Sequence, residues 1–179
     1  MEPGVPLPRV WEVRNDATLD LAQLYASAGP RLVGYLTVLT GSAEDAEEVA
    51  QDTFAQALRH WTTVREYDNP TAWLYRVATR LAISRGRRSA VARRGLGRLR
   101  AVRHDHVEHP VDDRVDLAAA LAALPVEQRA VLLLHHVHDL PVKEVARQLG
   151  VAEGTVKSRL ARARAALHPL LERPGAHHD

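Results

Sequence analysis

Apolar residues recur at alternating steps of three and four along most of this chain, the spacing that lines one face of an α-helix. The first such stripe spans residues 21–39, with the Gly-Pro pair at residues 29–30 as a kink or a break and Gly41 as the stop. A second stripe follows the N-cap Ser42 and closes at Trp61. The pattern predicts amphipathic helices that pack on one another to bury their apolar faces.

A third helix is predicted to begin at residues 69–70, where asparagine serves as the N-cap and proline occupies the first turn. Its apolar stripe runs from Leu74 to Leu81. If the helix continued further, Arg85 and Arg88 would turn onto the apolar face. The pattern therefore places the end of this helix near residues 84–86.

A linker is indicated at residues 89–113, which have no sustained apolar period and contain both glycine and proline. A stretch of this length spans about 80 Å when fully extended, so the units on either side need not touch. Helical spacing returns after it, first from Leu117 to Leu124 and then from Pro125 to Val137.

The last two helical segments form the most specific pattern in the sequence. A short helix at residues 141–150, a tight turn at 150–154 and a second helix at 155–167 make a helix-turn-helix. The second helix keeps an inward apolar period, and its outward small and basic residues suit a DNA major groove. A solvated basic face on a helical hairpin is the alternative interpretation. The outward residues are Thr155, Lys157, Ser158, Arg159 and Arg162.

These elements predict an all-α fold of two small helical domains joined by a flexible linker, the second domain containing the helix-turn-helix. The longest apolar run is about half of the roughly 20 residues that a membrane-spanning helix needs, and we expect a cytoplasmic protein without membrane contact. The predicted divisions are a disordered arm at 1–18, a first domain at 19–88, the linker at 89–113, a second domain at 114–172 and a polar tail at 173–179.

Charge alternates along the 179 residues, although the net charge is only +2. Residues 1–68 and 104–140 are acidic, whereas residues 69–103 and 141–179 are basic. The basic blocks would attract a polyanion, and the acidic blocks are suited to a basic protein surface. Charge thus points to nucleic acid and a protein as partners.

Catalytic and metal chemistry find little support in the sequence. The chain has no cysteine, which excludes disulfides, thiolate metal sites and a cysteine nucleophile. No nucleophile-base pair, phosphate-binding glycine loop or paired-carboxylate site is visible, so we expect neither an enzyme nor a cofactor. Two histidine clusters could bind zinc in principle, but no acidic residue or cysteine completes a tetrahedral set, and no metal is predicted. The clusters are His104, His106 and His109, and His135, His136 and His138.

Several motifs stand in a fixed order along the chain, with the predicted linker between the fourth and the fifth. They are Leu24-Tyr25, Pro30-Arg-Leu32, Asp45-Ala-Glu-Glu-Val-Ala-Gln-Asp-Thr-Phe54, Ala72-Trp-Leu-Tyr-Arg-Val-Ala78, Leu124-Pro125, Gln128-Arg129 and Gly154-Thr-Val-Lys-Ser-Arg-Leu160. Together they resemble the extracytoplasmic-function (ECF) group of bacterial RNA polymerase sigma factors, and the resemblance covers about residues 19–172. It implies two helical domains that join core RNA polymerase and direct it to promoter DNA.

The resemblance assigns two DNA-contacting regions. The outward face of the last helix would bind the −35 element, and residues 61–75 with the following arginines would open the −10 element and hold a flipped base. Holding single-stranded DNA requires aromatic rings that stack on unpaired bases and cations that contact phosphates, and this stretch supplies both. Relatives commonly have Asn and Asp where this chain has Arg80 and Ser84, so the resemblance does not indicate which bases of the −10 element this chain prefers. The −10 candidates are Tyr67, Asn69, Trp73 and three arginines that the helical repeat places on one side of the third helix, Arg76, Arg80 and Arg87.

The resemblance also assigns the second helix to the clamp helices of the largest polymerase subunit, through Asp45, Glu48 and Asp52. A solvated helix face is the alternative for these acids. Core RNA polymerase and promoter DNA are the expected partners, and an anti-sigma factor is a further one that the sequence leaves open. Two other classes remain: a sigma-like decoy that occupies an anti-sigma protein, and a stand-alone helix-turn-helix regulator.

Overall fold

The computed structural model describes residues 20–96 and 113–171, with the side chains at 92–96, 113–116 and 169–171 excepted. In these ranges all regular structure is helical, and no helix is long and apolar enough to cross a membrane. The predicted arm, most of the predicted linker with its histidines, and the polar tail lie outside the described residues. The helices are α1 (Leu21–Thr40), α2 (Ala43–Arg59), α3 (Trp61–Val64), α4 (Pro70–Leu96), α5 (Asp113–Ala122), α6 (Val126–Leu132), a π-helical turn (Leu133–Val137), α7 (Val142–Leu149) and α8 (Glu153–Leu171).

Helix α1 runs through Pro30 without the break that the Gly-Pro pair allowed. Asp20 closes a capping box at its start, and Gly41, with φ +77°, ends it in the left-handed conformation that glycine adopts at no steric cost. Proline removes one backbone hydrogen bond from a helix interior. Burial of Leu32 and Leu36 in the turns that follow offsets this loss and keeps the helix continuous.

Helix α4 continues to Leu96, so the end predicted near residues 84–86 is wrong. Arg85 does not face an apolar environment. Its guanidinium bonds Asp45 of α2, with 3.0 Å between Nε and Oδ1, and also bonds the Glu48 carboxylate. The prediction failed because the helix packs beside acidic side chains that local periodicity does not reveal.

Helices α1, α2 and α4 form the first bundle around a core of leucine, valine, alanine and aromatic side chains. Each fully buried leucine contributes about 1.5–3 kcal/mol relative to an exposed one. Helices α5 to α8 form the second bundle around a separate core. The leucines of α1 at positions 24, 32, 36 and 39 are at most 1% exposed, which fixes this helix at the centre of the first bundle.

The two bundles pack against each other, although the predicted linker was long enough to keep them apart. Ala130 and Leu133, from the second half of the chain, are buried in the first core, and Leu149 packs against it. Gly86 of α4 meets Val126 of α6 so closely that an added Cβ would lie 2.6 Å from the valine Cγ1. Glycine at this position therefore permits the approach of α4 and α6.

A buried arginine joins the bundles at one end of this contact. Arg129 is 4% exposed, and its guanidinium donates hydrogen bonds to backbone carbonyls of both halves of the chain. The Nη1 group donates to Leu39 O at 3.0 Å and Val38 O at 3.3 Å, and Nη2 donates to Ala122 O and Leu124 O, both at 2.9 Å. Arg129 thus satisfies carbonyls at the ends of α1 and α5 and in the turn after α5, which have no helical partners.

His138 joins the bundles at another point. It follows the π-helical turn and is buried beside two tyrosines of the first bundle, with ring centroids 5.2 Å from Tyr35 and 6.0 Å from Tyr75. Burial lowers the pKa of the His138 imidazole to about 4. The folded chain therefore holds this ring neutral at pH values at which an exposed histidine is charged.

We expect His138 to make the folded state less stable in mild acid. An unfolded histidine has a pKa of about 6.5, so the unfolded chain binds a proton between about pH 6.5 and 4 that the folded chain does not. The free energy of unfolding should fall by about 3 kcal/mol over this range through His138. Urea unfolding at a series of pH values should show a shallower decline for His138→Phe. An identical decline in both proteins would contradict the assignment.

Candidate nucleic-acid interface

The predicted helix-turn-helix is formed by α7, a short turn and α8. Gly150 ends α7 with φ +66°, a conformation that turns the chain sharply before α8 begins at Glu153. Val145 of α7 packs with Val156 and Leu160 of α8, and all three are at most 4% exposed. This apolar contact fixes the orientation of α8.

All five residues predicted for the outward face of α8 lie outside the core. Lys157 and Arg162 are exposed, whereas Thr155, Ser158 and Arg159 are half-buried. The Ser158 hydroxyl donates to the Thr155 carbonyl at 3.0 Å, which holds its side chain close to the helix. The face therefore combines two extended cations with small side chains, as close approach to base edges requires.

The aromatic residues between positions 61 and 75, before α4 and in its first turns, are divided between the core and the surface. Trp61 and Trp73 are half-buried and pack against the first core, and Tyr75 is 5% exposed. Tyr67 is 40% exposed, in the turn that precedes α4. Asn69 accepts a hydrogen bond from the Ala72 backbone N–H at 2.8 Å and so acts as the predicted cap of α4.

The three arginines predicted on one side of α4 do share a side, and that side faces the second bundle. Arg80 Nε donates to Gln148 O at 2.7 Å, at the C-terminus of α7. Arg87 Nε bonds Glu127 Oε1 of α6 at 2.7 Å. Burial alone would raise the pKa of the Glu127 carboxyl, but the Arg87 hydrogen bond, its own backbone and the charges of Arg87 and Arg159 hold it below its usual value.

Arg76, the third of these arginines, is half-buried, and its positive charge interacts with the Glu144 carboxylate of α7. The pKa of the Glu144 carboxyl is lowered first by hydrogen bonds from Arg147, with smaller contributions from Gln148 and from the charge of Arg76. All three α4 arginines therefore meet oxygen atoms or negative charge from the other bundle.

The acidic face of α2 is partly neutralised within the chain. Asp45 and Glu48 form ion pairs with Arg85, and their side chains remain about half exposed. Asp52, one turn further along, is exposed and makes no ion pair in the part of the chain that the structure describes. Of the three acids predicted to bind polymerase, two are thus paired with Arg85 while still half exposed.

Sequence reasoning missed two residues at the contact between the bundles. Glu127 and Arg129 each reach across to the first bundle from α6, yet their helix shows only an ordinary amphipathic pattern. The sequence feature that could have indicated Arg129 is the pair Gln128-Arg129, which is one of the sigma-factor motifs. The spacing of apolar residues along the helix does not single it out.

Comparisons with known proteins agree with these features. The model for Sigma-70 region 2 matches residues 24–91, and the model for Sigma-70, region 4 matches residues 114–167. The ECF RNA polymerase sigma factor SigL of Mycobacterium tuberculosis is 36% identical over 158 residues, which cover 85% of this chain and 89% of SigL. SigE of Mycolicibacterium smegmatis is 35% identical over 147 residues, and the chain spans about half (54%) of its length while 74% of this chain is aligned.

Solved structures show the same architecture. The sigma factor RpoE of Bartonella quintana, in complex with the anti-sigma factor NepR, superposes with a TM-score of 0.64 at 25% identity, covering 87% of this chain and 99% of RpoE. CnrH, in complex with the cytosolic domain of CnrY, gives a TM-score of 0.52 at 25% identity, covering 89% of this chain and 94% of CnrH.

The sigma-70 matches coincide with the two bundles, and the alignment with SigL extends across both of them. On this ground the chain belongs to the ECF RNA polymerase sigma factors, which are not enzymes and which direct the initiation of transcription at specific promoters.

Proposed function

We propose that this chain divides promoter recognition between its two bundles while bound to core RNA polymerase in the cytoplasm. The first bundle docks on the polymerase through α2 and opens the −10 element with the α3–α4 region. The second bundle binds the −35 element with α8. The observation that carries the proposal is the outward basic face of α8 on a helix-turn-helix whose orientation is fixed by a buried apolar contact.

The −35 contact uses the exposed and half-buried residues of α8. Arg162 and Lys157 extend from the helix and can bond guanine edges or phosphates, while Ser158 leaves room for close approach. The sequence from Gly154 to Leu160 lies within the matched sigma-70 region 4, which supports the same role.

The −10 contact centres on the turn before α4. Tyr67 presents an exposed ring on which an unpaired base can stack, a contact worth about 1–3 kcal/mol. Asn69 fixes the start of α4 directly beside it. Trp73 packs on the core with part of its surface exposed, so we assign it to the edge of the base site. Arg76, Arg80 and Arg87 contact DNA phosphates when they are not held by the second bundle.

An anti-sigma protein is a further proposed partner. The RpoE and CnrH structures, which share this fold, are complexes with NepR and with the cytosolic domain of CnrY. We propose that a protein of that class binds this chain and restrains it.

Run-off transcription with purified core enzyme tests the proposed function. Transcripts from a promoter should appear only when the chain is added. A stand-alone regulator would instead shift duplex DNA at nanomolar concentration without polymerase, and a decoy would neither shift DNA nor start transcripts. Either of these results, with no transcripts, would contradict the proposal.

Arg162→Ala should weaken binding of the −35 element by the reconstituted holoenzyme about 10- to 100-fold, or about 1–3 kcal/mol, because one base-edge contact is lost. Competition binding with promoter DNA measures the loss. Arg164→Ala is the matched control, since Arg164 is also exposed on α8 but contacts His136 at 3.1 Å. Equal affinity of the Arg162 variant and the wild type would refute the assignment.

A further inference from the structure

A cleft of about 700 Å³ lies where α4 meets the turn between α5 and α6. Pockets that hold small organic molecules have about this volume. Gly86 of α4 and Val126 of α6 pack closely on each other and both line the cleft, so the two bundles share it. Apolar side chains supply much of the lining, among them Ala82, Ala90, Ala122, Leu124 and Pro125.

Three arginines also line the cleft, and two of them are paired with acids. Arg85 bonds Asp45 and Glu48, and Arg87 bonds Glu127. The Glu48 side chain is half exposed, so solvent screens the additional negative charge that it brings to Arg85. These pairs leave the third arginine to set the charge of the cleft.

The third arginine, Arg129, is a buried cation without an acidic partner in the part of the chain that the structure describes. Its Nη groups donate only to backbone carbonyl oxygens, and its Nε–H is buried with no acceptor among the described residues. Burial lowers the pKa of this guanidinium. Because a buried charge is costly unless it is paired, an anion held in the cleft would stabilise Arg129.

We propose that the cleft binds a small amphipathic carboxylate. The carboxylate compensates the charge of Arg129, and a hydrocarbon body packs on the apolar side chains of α4 and of the turn between α5 and α6. One uncompensated cation favours a ligand with a single negative charge, and apolar walls disfavour a small, strongly hydrated anion. Since both bundles line the cleft, the bound ligand favours their contact.

Isothermal titration calorimetry of the full chain with three probes of equal length tests the charge requirement. Octanoate, octylammonium and octanol carry the same hydrocarbon body with a negative, a positive and no charge. Octanoate, used below the concentration at which it forms micelles, should bind saturably and at least about tenfold more tightly than the other two. Equal affinity of the three probes, or no saturable binding of octanoate, would overturn the inference.

A matched pair of variants on α4 tests the location. Ser89 lines the cleft and is exposed, so Ser89→Glu places a carboxylate there without disturbing a core. This variant should bind octanoate at least about tenfold more weakly, because like charges repel. Ser84→Glu is the control, since Ser84 is exposed on the same helix and is not part of the lining. Equal octanoate affinity in Ser89→Glu and Ser84→Glu would contradict binding in the cleft.

A second pair tests the contribution of the other bundle. Ala123→Glu, at an exposed position of the lining after α5, should weaken octanoate binding as Ser89→Glu does, whereas Ala119→Glu, exposed on α5 outside the lining, should not. Octanoate should also raise the thermal unfolding midpoint of the wild type and of both control variants. Neither polymerase nor promoter DNA is present, so a negative result counts against the ligand site and not against the proposed promoter role. Unchanged octanoate affinity in Ala123→Glu would overturn a site shared by the two bundles.

Discussion

Asp52→Lys should reduce the affinity of the chain for core RNA polymerase about 100-fold while the protein stays folded. Asp52 is exposed on α2, and no ion pair within the described residues neutralises it. The acidic face of α2 is suited to a basic partner surface. A lysine at position 52 would place like charges in contact there, which costs several kcal/mol. Fluorescence anisotropy of the labelled chain with core enzyme measures the affinity.

The choice of Asp52 over Glu48 follows from the structure. Glu48→Lys would place a lysine beside Arg85 and disturb the packing of α2 on α4, so lost binding would have two explanations. Glu66→Lys is the control, because Glu66 is an exposed acid outside α2. Wild-type affinity in the Asp52 variant would exclude this face as the docking surface.

Arg129→Met should lower the free energy of unfolding by about 3 kcal/mol. Methionine keeps most of the side-chain volume but donates no hydrogen bond, so carbonyls at the ends of α1 and α5 lose their partner. A buried acceptor left unsatisfied costs about 1–3 kcal/mol, and bonds from charged donors are among the stronger ones. Urea unfolding followed by circular dichroism measures the difference.

Arg147→Met is the comparison for that variant. Arg147 is an exposed arginine paired with Glu144 on α7, and solvent screening makes such a surface pair contribute little to stability. A loss below about 1 kcal/mol in Arg129→Met would show that water replaces the guanidinium, and that Arg129 does not hold the two halves of the chain together.

The local pattern of apolar residues and glycines was sufficient to predict most of the helices. Three-and-four spacing placed the stripes of α1, α2 and α4, and glycines at residues 41 and 150 marked helix ends that the structure confirms. The helix-turn-helix was predicted because its two helices and its turn lie within one short stretch of chain. The sigma-factor resemblance, carried by motifs in a fixed order, is confirmed by the family matches.

Local pattern predicted some features of the candidate site residues and not others. The outward face of α8 was predicted from periodicity alone, because the spacing of apolar residues within one helix shows which side packs on the core. The interpretation of α4 was incomplete, because the pattern showed that its arginines share a side but not what that side contacts. The DNA and polymerase roles of these residues remain predictions.

The sequence by itself determined that this chain forms amphipathic helices, a helix-turn-helix and separated blocks of opposite charge, because these are properties of neighbouring residues. Only the tertiary structure decided that Arg85 neutralises the acids of α2, that Arg129 joins two helix ends, and that Glu127 meets Arg87. Each of these pairs brings together residues about 40 or more positions apart in the chain. Periodicity records which face of a helix is buried, whereas the partner of a buried or charged group is set by how the bundles pack.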